Sequence, residues 1–234
     1  MAEHTPSEMI SLPDNAFIFG RREVGGNRIS PGAATGHTGA MFVKICGLKT
    51  VADVECAVAV GADAVGFVLA KSPRQISVDE VARLVPASSA LTVGVFLGQT
   101  VAEIRSIVAA TGLGGVQLHG SAYTARDFAA LADLGVTLIR AISTEAPVTV
   151  GSFGEDMLIL DSPRAGSGEQ WAWSALRGQT GRWMLAGGLT PANVAEAVAT
   201  VSPWGVDVSS GVELTRGTKD HGLIRDFMKA VRTP

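Results

Sequence analysis

From Met41 onward, short apolar, β-branched runs alternate with stretches whose apolar positions recur at helical spacing, the pattern of successive strand–helix units. Eight such runs begin near Met41, Ala64, Leu91, Gly114, Val136, Met157, Trp183 and Gly205, so their starts recur every 21 to 27 residues. A strand–helix unit repeated eight times over about 200 residues predicts an α/β fold closed into a (β/α)8, or TIM, barrel rather than an open sheet.

The helix starts are marked as well. Thr50-x-x-Asp53, Ser77-x-x-Glu80, Thr100-x-x-Glu103 and Thr124-x-x-Asp127 each fit a capping box, in which hydroxyl and carboxylate satisfy N–H groups that the first helical turn leaves without partners. Thr190-Pro191 reads as a further N-cap with proline at the first helical position. Any one box arises readily by chance, but four placed after successive strands reinforce one another.

The first forty residues break this rhythm. Pro, Gly, Asn and Ser interrupt any hydrophobic period through "PGAATGHTGA", which divides the chain into an N-terminal extension, Met1–Ala40, and one barrel domain, Met41–Pro234. Phe17, Ile18 and Phe19 are the expected point at which the extension docks. The expected state is a monomer, with a homodimer through the extension as the alternative.

Composition narrows the function. The 234 residues are 47% hydrophobic and 18% charged, enough for one domain with a substantial core. A net charge of −3 with scattered Lys and Arg gives no field for a polyanion, so nucleic acid is not an expected partner. No apolar run reaches the roughly 18 residues needed to span a bilayer, and the N-terminus lacks the order of a secretory signal. The expectation is no membrane and a cytoplasmic location. Cys46 and Cys56 fit no CxxC or Cys/His metal spacing, so both read as free thiols in a reducing compartment, with no metal site expected.

In such a barrel, chemistry sits at the C-terminal strand ends and the loops that follow. Two of these are "LAGGLTP" after the seventh strand and "DVSSGVE" after the eighth. Small residues there expose backbone N–H groups to an anion, so Gly187, Gly188, Ser209 and Ser210 are assigned to a phosphate, with Gly168 of the Gly166-Ser167-Gly168 turn as a third side. The competing reading is glycines that only form tight turns. Arg74, in a loop after the second strand, is either a fork for a carboxylate or phosphate or a solvated surface arginine.

Cys46 and Asp161 end the first and sixth strands, which a closed barrel can bring to opposite sides of one pocket. One can accept a proton while the other donates one. As a base, Cys46 needs a stabilised thiolate, expected from Lys44 on the same strand face or from the next helix N-terminus. As an acid, Asp161 needs a raised pKa, from partial burial or an anionic substrate. The alternatives are a buried structural thiol and an aspartate that caps a helix or turn. His119 is expected to line the pocket without a chemical step. Asp207 either contacts sugar hydroxyls or pairs with Lys44, and Cys56 reads as structural.

Taken in order, "VKICGLKT", "GADAVGFVLAKSPRQIS", "VGVFLGQT", "VQLHG", "LILDS", "GSG", "LAGGLTPANV" and "WGVDVSSGVE…GTKD" resemble the phosphoribosylanthranilate isomerase family over Met41 to Pro234. The resemblance implies an Amadori rearrangement of N-(5′-phosphoribosyl)anthranilate. In it, Asp161 would protonate the furanose ring oxygen and Cys46 would then remove the C2′ proton. Arg74 in "SPRQI" is similar to the family's carboxylate-binding arginine. The implied partner is a small phosphorylated substrate, and no metal or organic cofactor is called for, since proton transfers achieve the isomerisation. A rival is the histidine-pathway sugar isomerase, or an enzyme serving both pathways, which resembles a design with aspartates in both chemical positions. A non-catalytic phosphate-binding barrel would keep the glycine and serine loops without needing Cys46 and Asp161.

Overall fold

The computed structural model describes residues 41–144, 146–162 and 172–232. The extension, with Phe17, Ile18 and Phe19, and the Gly166–Gly168 turn lie outside the described residues.

Eight parallel strands close into a barrel: β1 (Phe42–Cys46), β2 (Ala64–Val68), β3 (Leu91–Phe96), β4 (Gly115–His119), β5 (Thr137–Ser143), β6 (Met157–Asp161), β7 (Trp183–Leu185) and β8 (Gly205–Val208). Each starts within one residue of the position its apolar run marks. Closure is made by β8 against β1, in register from Phe42↔Gly205 to Ile45↔Val208.

The strands alternate between two apolar layers, as a period of two requires. Val43, Ile45, Val65, Phe67, Leu158 and Leu160 face outward against helix residues such as Val54, Val81 and Ile104. Phe42, Ala64, Val93, Ile139, Met157 and Met184 fill the lumen. Each fully buried aliphatic side chain is worth about 1.5–3 kcal/mol, so this double shell is the main source of stability.

After β1 to β4 come α1 (Val51–Ala59), α2 (Val78–Leu84), α3 (Val101–Thr111) and α4 (Ala125–Ala129), each opened by the expected capping box. At Thr100, for example, the hydroxyl accepts from the Glu103 N–H at 3.3 Å while Glu103 Oε2 accepts from the Thr100 N–H at 2.7 Å.

The second half departs from the expected rhythm. Between β5 and β6 there is no α-helix among the described residues. Pro147 and two glycines in the left-handed region, Gly151 at φ +83° and Gly154 at φ +86°, interrupt any helical run. Val148, Val150 and Phe153 pack on the core in its place. Gln179 fastens the segment, accepting from the Val148 N–H at 2.6 Å and donating to its carbonyl at 2.7 Å. The expected cap at Thr190-Pro191 is also displaced: α5 (Val194–Val201) starts three residues later, with Asn193 at its N-cap. Asn193 Oδ1 takes the Thr190 N–H at 2.8 Å, so the side chain that closes this turn is an asparagine that the Thr-Pro signal hides.

Beyond β8, a 3-10 turn (Ser210–Val212) leads into a small hairpin of β9 (Glu213–Thr215) and β10 (Thr218–Lys219), and α6 (His221–Arg232) ends the described chain. No helix among the described residues is long and apolar enough to cross a membrane.

Candidate active site

The C-terminal strand ends form a cavity lined by Arg74, Asp161, Gly187, Gly188, Asp207, Ser209 and Ser210. Seven residues singled out in the sequence, from four separate loops and strand ends, therefore meet. Gly168 lies outside the described residues. Cys46 adjoins the group through its carbonyl, which accepts a hydrogen bond from the Ser209 hydroxyl at 3.0 Å. His119 stands at the end of β4, close enough to Asp161 for its charge to act on the carboxyl.

The two small-residue loops are shaped by contact. Gly187 has φ +83°, and a Cβ there would stand 2.6 Å from Asp161 Oδ1, so a side chain is excluded by both conformation and space. The bend at Gly188 is held by Asn193, whose side-chain amide donates to the Gly188 carbonyl at 2.9 Å. Among the described residues, the N–H groups of Gly187, Gly188 and Ser210 have no hydrogen-bond acceptor. Such a concave set of donors suits an anion.

Asp161 is mostly buried, and burial raises its pKa. The Ser162 N–H, donating to Oδ1 at 2.7 Å, and His119 oppose the rise, while Asp207 adds to it. The net direction is upward, as an acid requires.

Cys46 does not follow its expectation. Burial drives the thiol up, and Lys44 and Lys219 only partly counter it, because Asp207 acts in the opposite sense; the net pKa is above the ordinary value. The ammonium expected to stabilise a thiolate is shared: Lys44, fully buried and beside the thiol, also donates to Asp207 Oδ1 at 2.8 Å. Burial pulls the Lys44 pKa down, but Asp207 and Cys46 outweigh it and the net shift is upward, so Lys44 stays charged. Asp207 makes the pair with Lys44, one of the two roles expected of it, and also lines the cavity. Gly66 makes room for this packing, since a Cβ there would lie 2.9 Å from Cys46 Sγ and 3.2 Å from Lys44 Nζ.

Arg74 is not a solvated loop arginine. Its Nε and Nη2 donate to the two carboxylate oxygens of Glu213 at 2.7 and 3.0 Å. Glu213 also accepts from Lys219 Nζ at 2.9 Å and from the Gly217 N–H at 3.1 Å. Burial would raise the Glu213 pKa, but Arg74 and Lys219 bring it down to about 2. Lys219 in turn donates to the Ser209 carbonyl at 2.8 Å. Glu213, Lys219 and Asn193 were not singled out from the sequence. All three stand in quoted motifs, yet Glu213 and Arg74 are 139 positions apart, and spacing carries no sign of that partnership. Among the described residues, no group of three or more His, Cys, Asp or Glu side chains could hold a metal ion.

Comparison with known proteins gives concordant matches. A family model described as N-(5'phosphoribosyl)anthranilate (PRA) isomerase matches residues 43–230. A relative in Streptococcus pneumoniae (strain Taiwan19F-14), N-(5'-phosphoribosyl)anthranilate isomerase, is 40% identical over 195 residues, covering 81% of this chain and 95% of its own. The crystal structure of TrpF from Jonesia denitrificans is similar with a TM-score of 0.74 and 42% identity, over 82% of this chain and 97% of that one. A phosphoribosyl anthranilate isomerase in complex with reduced 1-(o-carboxyphenylamino)-1-deoxyribulose 5-phosphate is similar with a TM-score of 0.70 and 32% identity, over 83% of this chain and all of that one.

Proposed function

Since the chain belongs to the N-(5'-phosphoribosyl)anthranilate isomerase family, we propose that Asp161 is the general acid and Cys46 the general base of its reaction. The activity is the Amadori rearrangement of N-(5′-phosphoribosyl)anthranilate to 1-(2-carboxyphenylamino)-1-deoxyribulose 5-phosphate, a step of tryptophan biosynthesis. The observation that carries the assignment is the meeting, in one cavity, of a carboxyl with a raised pKa and two anion-shaped loops.

In this reading the substrate phosphate lies on Gly187, Gly188, Ser209 and Ser210, and its carboxylate on the outer edge of Arg74. That pose sets the sugar between the two strand ends. Asp161, whose pKa burial raises, gives its proton to the ring oxygen, and the C1′–oxygen bond breaks to leave an iminium. The adjacent C2′ proton is then acidic, and Cys46 thiolate removes it. The enolamine formed tautomerises to the ketone. Proton transfers suffice throughout. His119 lines the pocket, and Asp207 holds Lys44 charged beside the thiol. Two free thiols suit a reducing cytoplasm.

Turnover of freshly generated phosphoribosylanthranilate, followed by loss of anthranilate-type fluorescence, tests the roles. Cys46→Ser and Asp161→Asn are each expected to lower kcat by at least about 10²-fold. Near-full activity in either variant would remove that residue from the chemistry.

A further inference from the structure

The Arg74 fork has two usable edges, and only one faces Glu213. Nε and Nη2 are taken up by the carboxylate, which leaves the Nη1 edge for a ligand. The stem is fixed as well: it lies against Gly47, where a Cβ would stand 2.8 Å from Arg74 Cδ. Glu213 is itself held from three sides, by Arg74, Lys219 and the Gly217 N–H, and its side chain is only 4% exposed. A carboxylate so enclosed does not swing aside for solvent.

Resting on the reading that Arg74 receives the substrate carboxylate, we infer that Glu213 is a positioning residue for substrate recognition, orienting the Arg74 fork so that its free edge meets that carboxylate. Glu213 touches no reacting atom and acts through Arg74. Its second cation, Lys219, is tied to the Ser209 carbonyl and, at 3.3 Å, to the Ser209 hydroxyl. One carboxylate thereby connects the arginine to the loop assigned to phosphate, and sets the spacing between two anion sites that must match the two ends of one substrate. A flexible arginine would lose more side-chain entropy on binding than one already clamped.

The test compares two ligands, reduced 1-(o-carboxyphenylamino)-1-deoxyribulose 5-phosphate, which carries phosphate and carboxylate, and ribulose 5-phosphate, which carries phosphate alone. The readout is the ratio of their affinities in wild type, Glu213→Gln, Glu213→Asp, Lys219→Met and Arg74→Met, beside KM and kcat for the substrate. Glu213→Gln keeps the size of the side chain but not the charge, and is expected to lower the ratio about tenfold, with KM up about tenfold and kcat within about threefold of wild type. Glu213→Asp, which withdraws the carboxylate by one methylene, should lower the ratio about two- to threefold, and serves as the test if the glutamine variant does not fold. Lys219→Met should weaken both ligands alike and leave the ratio within about twofold of wild type. If the ratio falls in Arg74→Met but holds in both Glu213 variants, Glu213 is structural and the inference is overturned while the role of Arg74 survives. If the ratio holds in Arg74→Met too, the reading of Arg74 fails and takes the inference with it.

Discussion

Cys46 at the end of β1 and Asp161 at the end of β6 stand in similar surroundings: both are mostly buried, each has a charged residue nearby, and burial raises the pKa of both. For the aspartate this favours the protonated form that an acid must have. For the cysteine it favours the thiol, which is the wrong form for a base. For the proposed roles the two environments thus differ in effect: burial favours the form needed at Asp161 and opposes the form needed at Cys46. In the proposed mechanism the iminium formed when Asp161 gives up its proton places a positive charge beside the thiol, which lowers the thiol pKa and lets its proton pass to solvent. Acid before base is the order that the proposed roles would require of these two environments.

The comparison can be broken first at Lys44. Lys44→Met leaves the mostly buried Asp207 carboxylate without its ammonium partner, and thermal or denaturant unfolding should register a loss of about 3–5 kcal/mol. A variant as stable as wild type would show that the pair contributes little. Next in size are the roles themselves. A loss of about 10²-fold in kcat corresponds to about 2.7 kcal/mol, and the residual activity of Asp161→Asn should rise with pH as the thiol ionises. Residual activity that stays flat with pH would place the base elsewhere. Gly66→Ala then sharpens the contrast by crowding one side only: a Cβ 2.9 Å from Cys46 Sγ should cost about 1–3 kcal/mol of stability and displace the thiol, leaving Asp161 untouched.

The smallest effect concerns stability at the acid. The folded-state pKa of Asp161 lies above its ordinary 3.8, so the stability it contributes is complete below that value and is lost as pH rises through the raised one. At neutral pH the ionised carboxylate is a cost. Asp161→Asn is therefore expected to be more stable than wild type by about 1 kcal/mol near pH 7, a gain that vanishes in acid, as unfolding curves across the pH range would report. A variant less stable at every pH would contradict the raised pKa.

The eight strands and four of the helix starts were legible because they rest on local rules, a period of two along strands and an N3 carboxylate reaching back to its cap. The β5–β6 segment carried its own warning in Pro147, Gly151 and Gly154, but the repeat of the neighbouring units argues for a helix more loudly than three residues argue against it. Asn193 was hidden by a Thr-Pro pair that matches a start signal equally well. At the site, the strand-end rule placed Cys46, Asp161 and the paired small residues, since position along the repeat sets who reaches the mouth. What spacing could not provide was the partnership of Arg74 with Glu213, or the sign of the shift at Cys46. Those depend on which side chains meet across the barrel and how little water is left around them.

The burial that holds Cys46 as a thiol has a consequence for the enzyme between turnovers. Peroxides and alkylating agents attack thiolates, and a neutral, enclosed thiol offers them neither the charge nor the access. An active-site cysteine is ordinarily a point of oxidative wear. In the proposed mechanism the anion is needed only once substrate is bound, so the free enzyme is seldom in the form that oxidants attack.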